Sequence, residues 1–255
     1  IEPAVLAARY RGVRACTQAL AAPLSAEDAM VQSMPDASPA KWHLAHITWF
    51  FETFILEGFE PGFMPFDAGF RVLFNSYYNG VGDKYPRPKR GLISRPSLDE
   101  VLAYRAQVNQ RMLAVIEAVE AGADKARQRE LTELVTLGLH HEQQHQELLL
   151  TDIKHALWGN PLRPAYRTDL ARTPAAATPL RWTTHPEAIA EVGADAWPQA
   201  TAFAFDNESP RHRVLLVAHA LAQRPVSNAE YRAFIDDGGY ADPADPDVAR
   251  MSKII

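Results

Sequence analysis

His140-His141-Glu142-Gln143-Gln144-His145-Gln146-Glu147 is the stretch from which the fold of this chain is predicted. In and around it, apolar or small residues and two spaced histidines recur at three- and four-residue steps, the period of a helix with one core-facing side. The members of that side are Leu131, Leu134, Gly138, His141, His145, Leu148 and Asp152. The sequence therefore predicts a long helix whose core-facing side carries two histidines.

His141 and His145 stand four residues apart, so on a helix their side chains lie one above the other on the same face. Two imidazoles so placed can hold one metal ion, and histidine is the commonest protein ligand for that task. Gly138, one turn earlier on this face, leaves room for a ligand or for another helix. The same pattern is also compatible with two core histidines that are hydrogen-bonded to their neighbours.

His141-Glu142-Gln143-Gln144-His145 also matches the H-E-x-x-H pattern of zinc peptidases, in which the histidines bind zinc and the glutamate is the general base. The extended metzincin form requires a glycine and a third histidine where this chain has Leu148 and Thr151, which excludes that subclass. A peptidase with a distant glutamate ligand stays open at this point.

Three further helices are predicted before this stretch. The first spans about residues 3 to 21 and the second about residues 39 to 56. The third runs from a capping box that begins at Ser97 to a stop signal at Gly122. The fourth contains the histidine stretch and ends near residues 158–161. Four long helices with one long connection indicate a helix bundle with a metal site on its inner face.

His46 lies in the middle of an aromatic face of the second predicted helix, between Trp42 and Trp49. Alone it would be taken for a core histidine, but beside His141 and His145 it becomes a candidate third ligand. Three neutral imidazoles leave a bound metal its full 2+ charge and open coordination positions. Ligand type alone does not separate Fe(II) from Zn(II).

Residues 57–96 form a long connection that is rich in glycine, proline and aromatic residues and has no period. Long loops of this kind are often functional. Phe74-Asn75-Ser76-Tyr77-Tyr78-Asn79 combines aromatic and polar side chains, as a pocket wall does. Arg87 and Arg90 lie on a proline-stiffened segment, and an arginine fork matches a carboxylate with two hydrogen bonds. A solvated basic loop is the alternative.

The C-terminal part of the sequence differs from the helical part in composition and in the spacing of its apolar residues. Residues 161–180 are rich in proline, alanine and threonine, which predicts a semi-rigid linker. Strands are expected at Ala202–Phe205 and Arg213–Val217, and a helix is expected from Ser227 through Ile235. These elements predict the opening of a mixed α/β domain over residues 181–255, too short to close a core of its own. We therefore expect a truncated chain, or packing borrowed from the bundle.

Composition narrows the class of protein further. The 255 residues carry a net charge of −5 with no basic cluster, so nucleic acid is not expected as a partner. No apolar run reaches about 18 residues, so no membrane span is expected. Cys16 is the single cysteine, which excludes an internal disulfide and favours a reducing cytoplasm. No signal peptide is recognisable, and because the first residue is Ile1, a few N-terminal residues are expected to be missing.

Several segments, taken together in order and spacing, resemble the ergothioneine-biosynthesis sulfoxide synthases (EgtB type). The segments that carry this resemblance are Trp42-His43-Leu44-Ala45-His46, Trp49-Phe50-Phe51-Glu52, Phe74-Asn75-Ser76-Tyr77-Tyr78, Arg87-Pro88-Lys89-Arg90-Gly91 and His140 to Glu147. Two later segments, Asn207 to Val214 and Pro225 to Phe234, resemble the opening of a formylglycine-generating-enzyme (sulfatase-modifying) domain.

The resemblance implies an α+β fold. A DinB-like four-helix bundle would cover residues 1–160, a linker residues 161–180, and the opening part of a formylglycine-generating-enzyme-like domain residues 181–255. It also implies a non-haem Fe(II) oxidoreductase that joins the sulfur of cysteine or γ-glutamylcysteine to the imidazole of hercynine, with dioxygen, to give a sulfoxide.

Carried over by matching motifs, the resemblance assigns roles to individual residues. It implies three iron ligands, His46, His141 and His145, and two arginines, Arg87 and Arg90, that hold the carboxylate of the thiol substrate. Glu142 would support the ligands, whereas His43, His140 and His155 receive no role and are interpreted as structural.

Two other functions remain possible on the sequence. A DinB-like metal-dependent thiol transferase would use zinc to activate a small thiol without dioxygen, and it would not need a second domain. A non-catalytic metal-binding bundle would hold a metal and respond to no substrate. In the family, the part of the second domain that is absent here supplies the rest of the pocket, including a tyrosine that acts as an acid. We therefore expect that this chain can hold the metal and yet be inactive.

Overall fold

The computed structural model describes residues 3–76, 78–169, 178–195 and 203–240. The backbone divides into two compact units, Ile1–Ala171 and Arg172–Ile255. The first unit is helical and the second contains small antiparallel sheets.

Four long helices of the first unit pack against one another around an apolar core. Shorter helical segments occupy the connections between them. The α-helices are α1 (Pro3–Ala21), α2 (Ala40–Phe51), α3 (Glu57–Phe59), α4 (Phe70–Leu73), α5 (Leu98–Ala121) and α6 (Lys125–Gly159). The 3₁₀ turns of this unit are Asp28–Met30, Asn79–Val81 and Arg87–Leu92.

α2 is the most deeply buried element of the unit, because every one of its residues is buried. The predicted helix over residues 39–56 has the right position, but regular α-helix ends at Phe51 and a π turn follows at Glu52–Leu56. The buried Glu52 carboxylate accepts hydrogen bonds from the Tyr104 hydroxyl and from the Phe66 backbone N–H, at 2.6 Å and 2.8 Å. π turns of this kind recur at functional sites.

The ends of α5 and α6 follow local capping chemistry. The predicted capping box at Ser97 is present, since the Ser97 hydroxyl accepts from the Glu100 N–H and the Glu100 carboxylate accepts from the Ser97 N–H. Asp124, which the sequence analysis did not single out, caps α6 by accepting from the N–H groups of Ala126 and Arg127. A cap of either kind contributes about 1 kcal/mol to helix stability.

Gly138 is where α6 crosses α2. A methyl group at Gly138 would lie 2.7 Å from Cε1 of Phe51 and 2.9 Å from Cε1 of Phe50. Of the two uses expected for this glycine, space for a ligand or for another helix, the structure shows the second. The close approach of the two helices brings the histidines of α6 next to α2.

Replacing Gly138 with alanine should destabilise the helical unit by about 1–3 kcal/mol, because the added methyl group overpacks the contact with the two phenylalanine rings. Gly12 in α1 is the matched control. A methyl group there meets nothing within 4 Å, so Gly12→Ala should stabilise the unit by up to about 1 kcal/mol through helix propensity. Urea unfolding followed by far-ultraviolet circular dichroism measures both changes, and equal stabilities of the two variants would contradict the packing argument.

The long connection over residues 57–96 is held by two buried polar side chains. The Asn75 amide donates to the carbonyl oxygens of Tyr78, Gly82 and Asp83, at 3.1–3.2 Å. The Lys41 ammonium donates to the carbonyl oxygens of residues 93 and 96, at 2.9 Å and 2.7 Å. A segment without sequence period thus acquires a fixed path, because its backbone carbonyls are satisfied by side chains.

In the second unit, residues 178–195 and 203–240 form two antiparallel ribbons and one helix. β1 (Trp182–His185) pairs with β4 (His219–Ala222), and β2 (Ala188–Val192) pairs with β3 (His212–Leu216). The helix α7 (Asn228–Asp236) begins after a Ser227 capping box, as predicted.

The strand predictions for this unit had mixed outcomes. The strand expected at Arg213–Val217 is confirmed, shifted by one residue to His212–Leu216. The strand expected at Ala202–Phe205 is wrong for residues 203–205, whereas Ala202 lies outside the described residues. These residues lead into a 3₁₀ turn, Asp206–Glu208, and the Glu208 carboxylate accepts from the Phe205 N–H, a donor that a strand would use for pairing.

Of the predicted linker, residues 161–169 contain no helix or strand, and residues 170–177 are outside the part of the chain that the structure describes. Within the described ranges, no helix has both the length and the apolar content that crossing a bilayer requires.

Candidate metal centre

Three histidines predicted as ligands come together between α2 and α6. His46 of α2 and His141 and His145 of α6 each offer a ring nitrogen, and these atoms lie within 4.8 Å of one another. The ring centroids are 4.6 Å apart for His141 and His145, 4.8 Å for His46 and His145, and 5.1 Å for His46 and His141. The four-residue spacing on α6 supplies two members, and the crossing of α2 supplies the third.

The His46 ring is fixed by one hydrogen bond and two stacking contacts. Its Nδ1–H donates to the Phe74 carbonyl oxygen at 2.7 Å, which leaves the lone pair on Nε2. Trp42 stacks on the imidazole at a centroid distance of 4.5 Å, and Trp49 stacks on it at 5.6 Å. Both indoles are buried on α2, so the aromatic face predicted from the sequence orients this ring.

The His145 ring contacts a further histidine that the sequence analysis treated as structural. Nδ1 of His145 lies 2.8 Å from Nδ1 of His43, and Nε2 of His43 lies 3.0 Å from Oδ2 of Asp152. His43 is buried, and the Asp152 carboxylate also accepts from the Ser38 N–H at 2.8 Å. His43 therefore joins a candidate ligand to a carboxylate, which is more than a structural role.

His141 shows that these are not simply core histidines satisfied by their neighbours. Its Nδ1 is buried and has no hydrogen-bond partner in the structure. Buried polar atoms are nearly always paired, and an unpaired one is a sign of a missing water or ion. A lone pair or N–H left unpaired among three converging imidazoles fits a metal site.

Burial holds all three candidate ligands in the neutral form. It lowers the pKa of His141 to about 4, and it lowers the pKa of His46 and of His145 well below the usual 6.5. Neighbouring histidines add to the effect at His46 and His145. Because the neutral imidazole is the form that binds metal, the cluster is in its ligand form at pH 7.

The donor set suits a catalytic rather than a structural metal. Three neutral nitrogen ligands leave open positions for substrate or water, whereas a structural zinc site has four protein ligands. Among the described residues, the three histidines are the group of this kind that could hold a metal ion. The three histidines therefore fit a divalent transition metal, and their ligand type is compatible with both iron and zinc.

Glu142, the glutamate of the H-E-x-x-H match, is a counter-ion and not a base. It is fully buried and accepts hydrogen bonds from Arg14, Thr17 and Arg105, at 3.0 Å, 2.6 Å and 2.6 Å. Burial alone would raise the pKa of Glu142, but the charges of Arg14 and Arg105 outweigh it and lower that pKa to about 2. So weak a base, with its oxygens engaged, does not serve as the general base of a peptidase.

The two arginines predicted to bind substrate lie on one 3₁₀ turn, Arg87–Leu92. Arg90 is buried, its guanidinium lies 3.4 Å from the centre of the Trp42 ring, and its terminal nitrogens donate to the hydroxyls of Ser38 and Ser76 at 2.9 Å each. Because Trp42 also stacks on His46, Arg90 is connected to the histidine cluster through one indole. Arg87 is half-buried and donates to the carbonyl oxygen of Asp36 at 3.3 Å.

Gln32 anchors this arginine-bearing turn, and the sequence analysis missed it. Its amide nitrogen donates to the Arg87 carbonyl oxygen at 2.8 Å, and its amide oxygen accepts from the Gly91 N–H at 2.7 Å. A methyl group at Gly91 would lie 2.9 Å from Cβ of Gln32, so the glycine permits this close approach. No periodicity marks a lone glutamine in a short connection.

The remaining predicted residues divide into those at the cluster and those away from it. In the segment predicted as a pocket wall, the Tyr78 ring lies 6.4 Å from both His46 and His141, and Tyr77 is outside the described residues. His155 is exposed and hydrogen-bonds to the Ser33 hydroxyl at 2.8 Å.

Residues 9–149 match the DinB superfamily. That range covers more than half of the chain and contains all three histidines of the cluster. The chain therefore belongs to the DinB superfamily.

Three curated relatives are named hercynine oxygenase. The protein of Mycolicibacterium thermoresistibile is 29% identical over 208 residues, which cover 81% of this chain and 42% of the relative. That of Mycobacterium tuberculosis is 30% identical over 208 residues, 81% of this chain and 44% of the relative. That of Mycolicibacterium smegmatis is 28% identical over 220 residues, 83% of this chain and 46% of the relative. The chain thus spans less than half the length of the relatives it matches. The resemblance to EgtB-type proteins that the sequence motifs indicated is supported by these three relatives.

Proposed function

We propose that this chain carries the metal-binding part of a hercynine oxygenase of ergothioneine biosynthesis. The reaction joins the sulfur of cysteine or γ-glutamylcysteine to the imidazole carbon of hercynine. One atom of dioxygen ends in the sulfoxide and the other in water, so the C–H and S–H hydrogens leave as that water. The observation that carries this proposal is the convergence of His46, His141 and His145, whose imidazoles are held neutral by burial; two of these residues are buried and His141 is partly buried.

The roles of the chain's own residues follow from their contacts. His46, His141 and His145 would hold Fe(II), which supplies the one-electron chemistry that dioxygen needs to react with a thiol. Arg87 and Arg90 would bind the carboxylate of the thiol substrate, because the guanidinium fork matches a carboxylate. Displacement of the two serine hydroxyls by a carboxylate would give Arg90 charge-assisted hydrogen bonds in place of neutral ones.

The organisation of the whole chain enters the proposal as well. The four long helices would be a DinB-like four-helix bundle, and residues 181–255 would be the opening part of a formylglycine-generating-enzyme-like domain. The named relatives support this arrangement, because the region aligned with each of them covers 81–83% of this chain. We infer the substrates and the oxygenase activity of this chain from the names of its relatives, and the chain matches less than half of the length of each relative.

Dioxygen uptake by the anaerobically iron-loaded chain tests the proposal. Hercynine and each thiol are added separately and together, so that the assay also distinguishes cysteine from γ-glutamylcysteine. Uptake that requires hercynine together with one thiol would establish the proposal and would show that the part of the relatives matched by this chain is sufficient for turnover. Consumption of the thiol by the zinc-loaded chain without dioxygen would support a DinB-like thiol transferase instead. Bound metal with no response to any substrate would fit a metal site that needs the unmatched part of the relatives in order to react, or a non-catalytic metal-binding bundle.

A further inference from the structure

Asp152, His43 and His145 form a continuous line of hydrogen-bonding side chains that starts from a backbone-anchored carboxylate. The Ser38 N–H donates to Oδ2 of Asp152 at 2.8 Å, and the same oxygen lies 3.0 Å from Nε2 of His43. Nδ1 of His43 then lies 2.8 Å from Nδ1 of His145. His43 is 2% exposed and His145 is 9% exposed, so bulk water does not compete for these bonds.

The carboxylate determines the direction in which the protons point along this line. An ionised carboxylate only accepts, so Nε2 of His43 must carry the proton that it shares with Asp152. In a neutral imidazole the other nitrogen is then an acceptor, and Nδ1 of His43 accepts from Nδ1–H of His145. His145 is left with its lone pair on Nε2, which is the only arrangement of this pair that leaves that nitrogen able to bind a metal.

We infer that His43 and Asp152 are positioning residues that select the metal-binding tautomer of His145 and fix the direction of its ring. The inference rests on the proposed role of the three histidines as metal ligands, and it extends that role to two residues that touch no metal. Carboxylate partners of metal-binding histidines act in this way in general, but here the carboxylate acts through an intervening imidazole.

Ser38 extends the line to the predicted thiol-binding arginine. Its backbone N–H holds Asp152, and its hydroxyl accepts from Nη1 of Arg90 at 2.9 Å. One residue just before α2 therefore contacts both the carboxylate that orients His145 and the guanidinium proposed to bind substrate.

His43→Leu and Asp152→Ala test the inference, with His155→Ala as the control on the same helix. Cobalt(II) affinity, measured by competition with a chromophoric chelator, should fall about 10–100-fold in the first two variants. It should be unchanged in His155→Ala, because His155 is exposed and contacts Ser33. The Asp152 side chain is more exposed than that of His43, so Asp152→Ala is expected to disturb folding less. If His43→Leu does not fold, the cobalt affinity of Asp152→Ala alone tests the inference.

A second readout reports the tautomer directly. Long-range ¹H–¹⁵N correlation spectra of the histidine-labelled apoprotein should place the proton of His145 on Nδ1 and that of His43 on Nε2. In Asp152→Ala this preference should weaken, and in His43→Leu the proton of His145 should divide between its two nitrogens. A proton on Nε2 of His145 in the unaltered protein, or cobalt affinities equal to that of the His155→Ala control, would overturn the inference. Neither readout involves substrate or dioxygen, so a failure of the proposed oxygenase activity would leave both interpretable.

Discussion

Glu142→Gln is expected to destabilise the helical unit by about 3–5 kcal/mol, the usual loss when one partner of a buried ion pair is removed. The variant leaves Arg14 and Arg105 buried without the carboxylate that now accepts from both of them. Burial lowers the pKa of Arg105, but only to about 10, so this arginine keeps its charge at neutral pH. An amide at position 142 would also present a donor to a site that is built of donors.

The same carboxylate should make the unit acid-sensitive. The pKa of Glu142 is about 2 in the folded protein against an ordinary value of 4.5, so the unfolded chain binds the proton more readily. The contribution of Glu142 to the free energy of unfolding is therefore fully present above about pH 4.5, and it is lost as the pH falls toward 2. At 1.36 kcal/mol for each unit of pKa, that contribution is about 3 kcal/mol.

Urea unfolding of the metal-free protein, followed by helix content, measures both effects. Glu147→Gln is the matched control, because Glu147 is exposed on the same helix and its replacement should change stability by less than about 0.5 kcal/mol. The Glu142→Gln variant should also have lost the acid sensitivity between pH 4.5 and 2 that is ascribed to this group. If both variants unfold at the same urea concentration, Glu142 does not have the structural role assigned to it.

His145→Ala is expected to abolish tight metal binding. The variant removes one of three protein ligands, and the second-best arrangement, two ligands from different helices, lacks the paired face of α6. Binding free energies of protein metal sites of about 10–16 kcal/mol, shared among their ligands, imply a loss of at least about a hundredfold in affinity for one histidine. Competition titration with iron(II) or cobalt(II) under anaerobic conditions is the measurement.

His155→Ala again supplies the control for this experiment. It removes an imidazole that lies on the same helix, almost three turns further along, and hydrogen-bonds to Ser33 instead of to the cluster. Its metal affinity should equal that of the unaltered protein. Equal losses in the two variants would show that general damage to α6, and not a ligand, had been measured.

Much of the helical unit could be predicted from sequence because its determinants are local. α1 spans the residues expected of it, the capping box at Ser97 starts α5, and α6 ends where the Gly159 region predicts. The π turn after Phe51 could not be predicted, because it depends on Glu52 meeting Tyr104 and Phe66 from distant parts of the chain. In the second unit, the strands β1, β2 and β4 were missed because none of them contains a run of large aliphatic residues like the one by which β3 was found.

The candidate site was predictable in part for the same reason. His141 and His145 were found from their spacing on one helix, and His46 from its place on an aromatic face together with a family resemblance. His43 and Asp152 were not found as a pair, because 109 residues separate them and only the packing of α2 on α6 makes them neighbours. One signal was available: Asp152 lies two turns after His145 on the same face of α6, within reach of residues that contact that histidine.

The two indoles stacked on His46 allow metal binding at the histidine cluster to be followed by tryptophan fluorescence. Trp42 and Trp49 are both buried and within 5.6 Å of the imidazole, measured between ring centres. An open-shell metal held by His46 would lie close enough to both indoles to accept energy or an electron from their excited states. Binding of iron(II) or cobalt(II) to the three histidines would therefore quench the fluorescence of these two tryptophans. Binding of zinc, whose d shell is filled, would not quench it in this way.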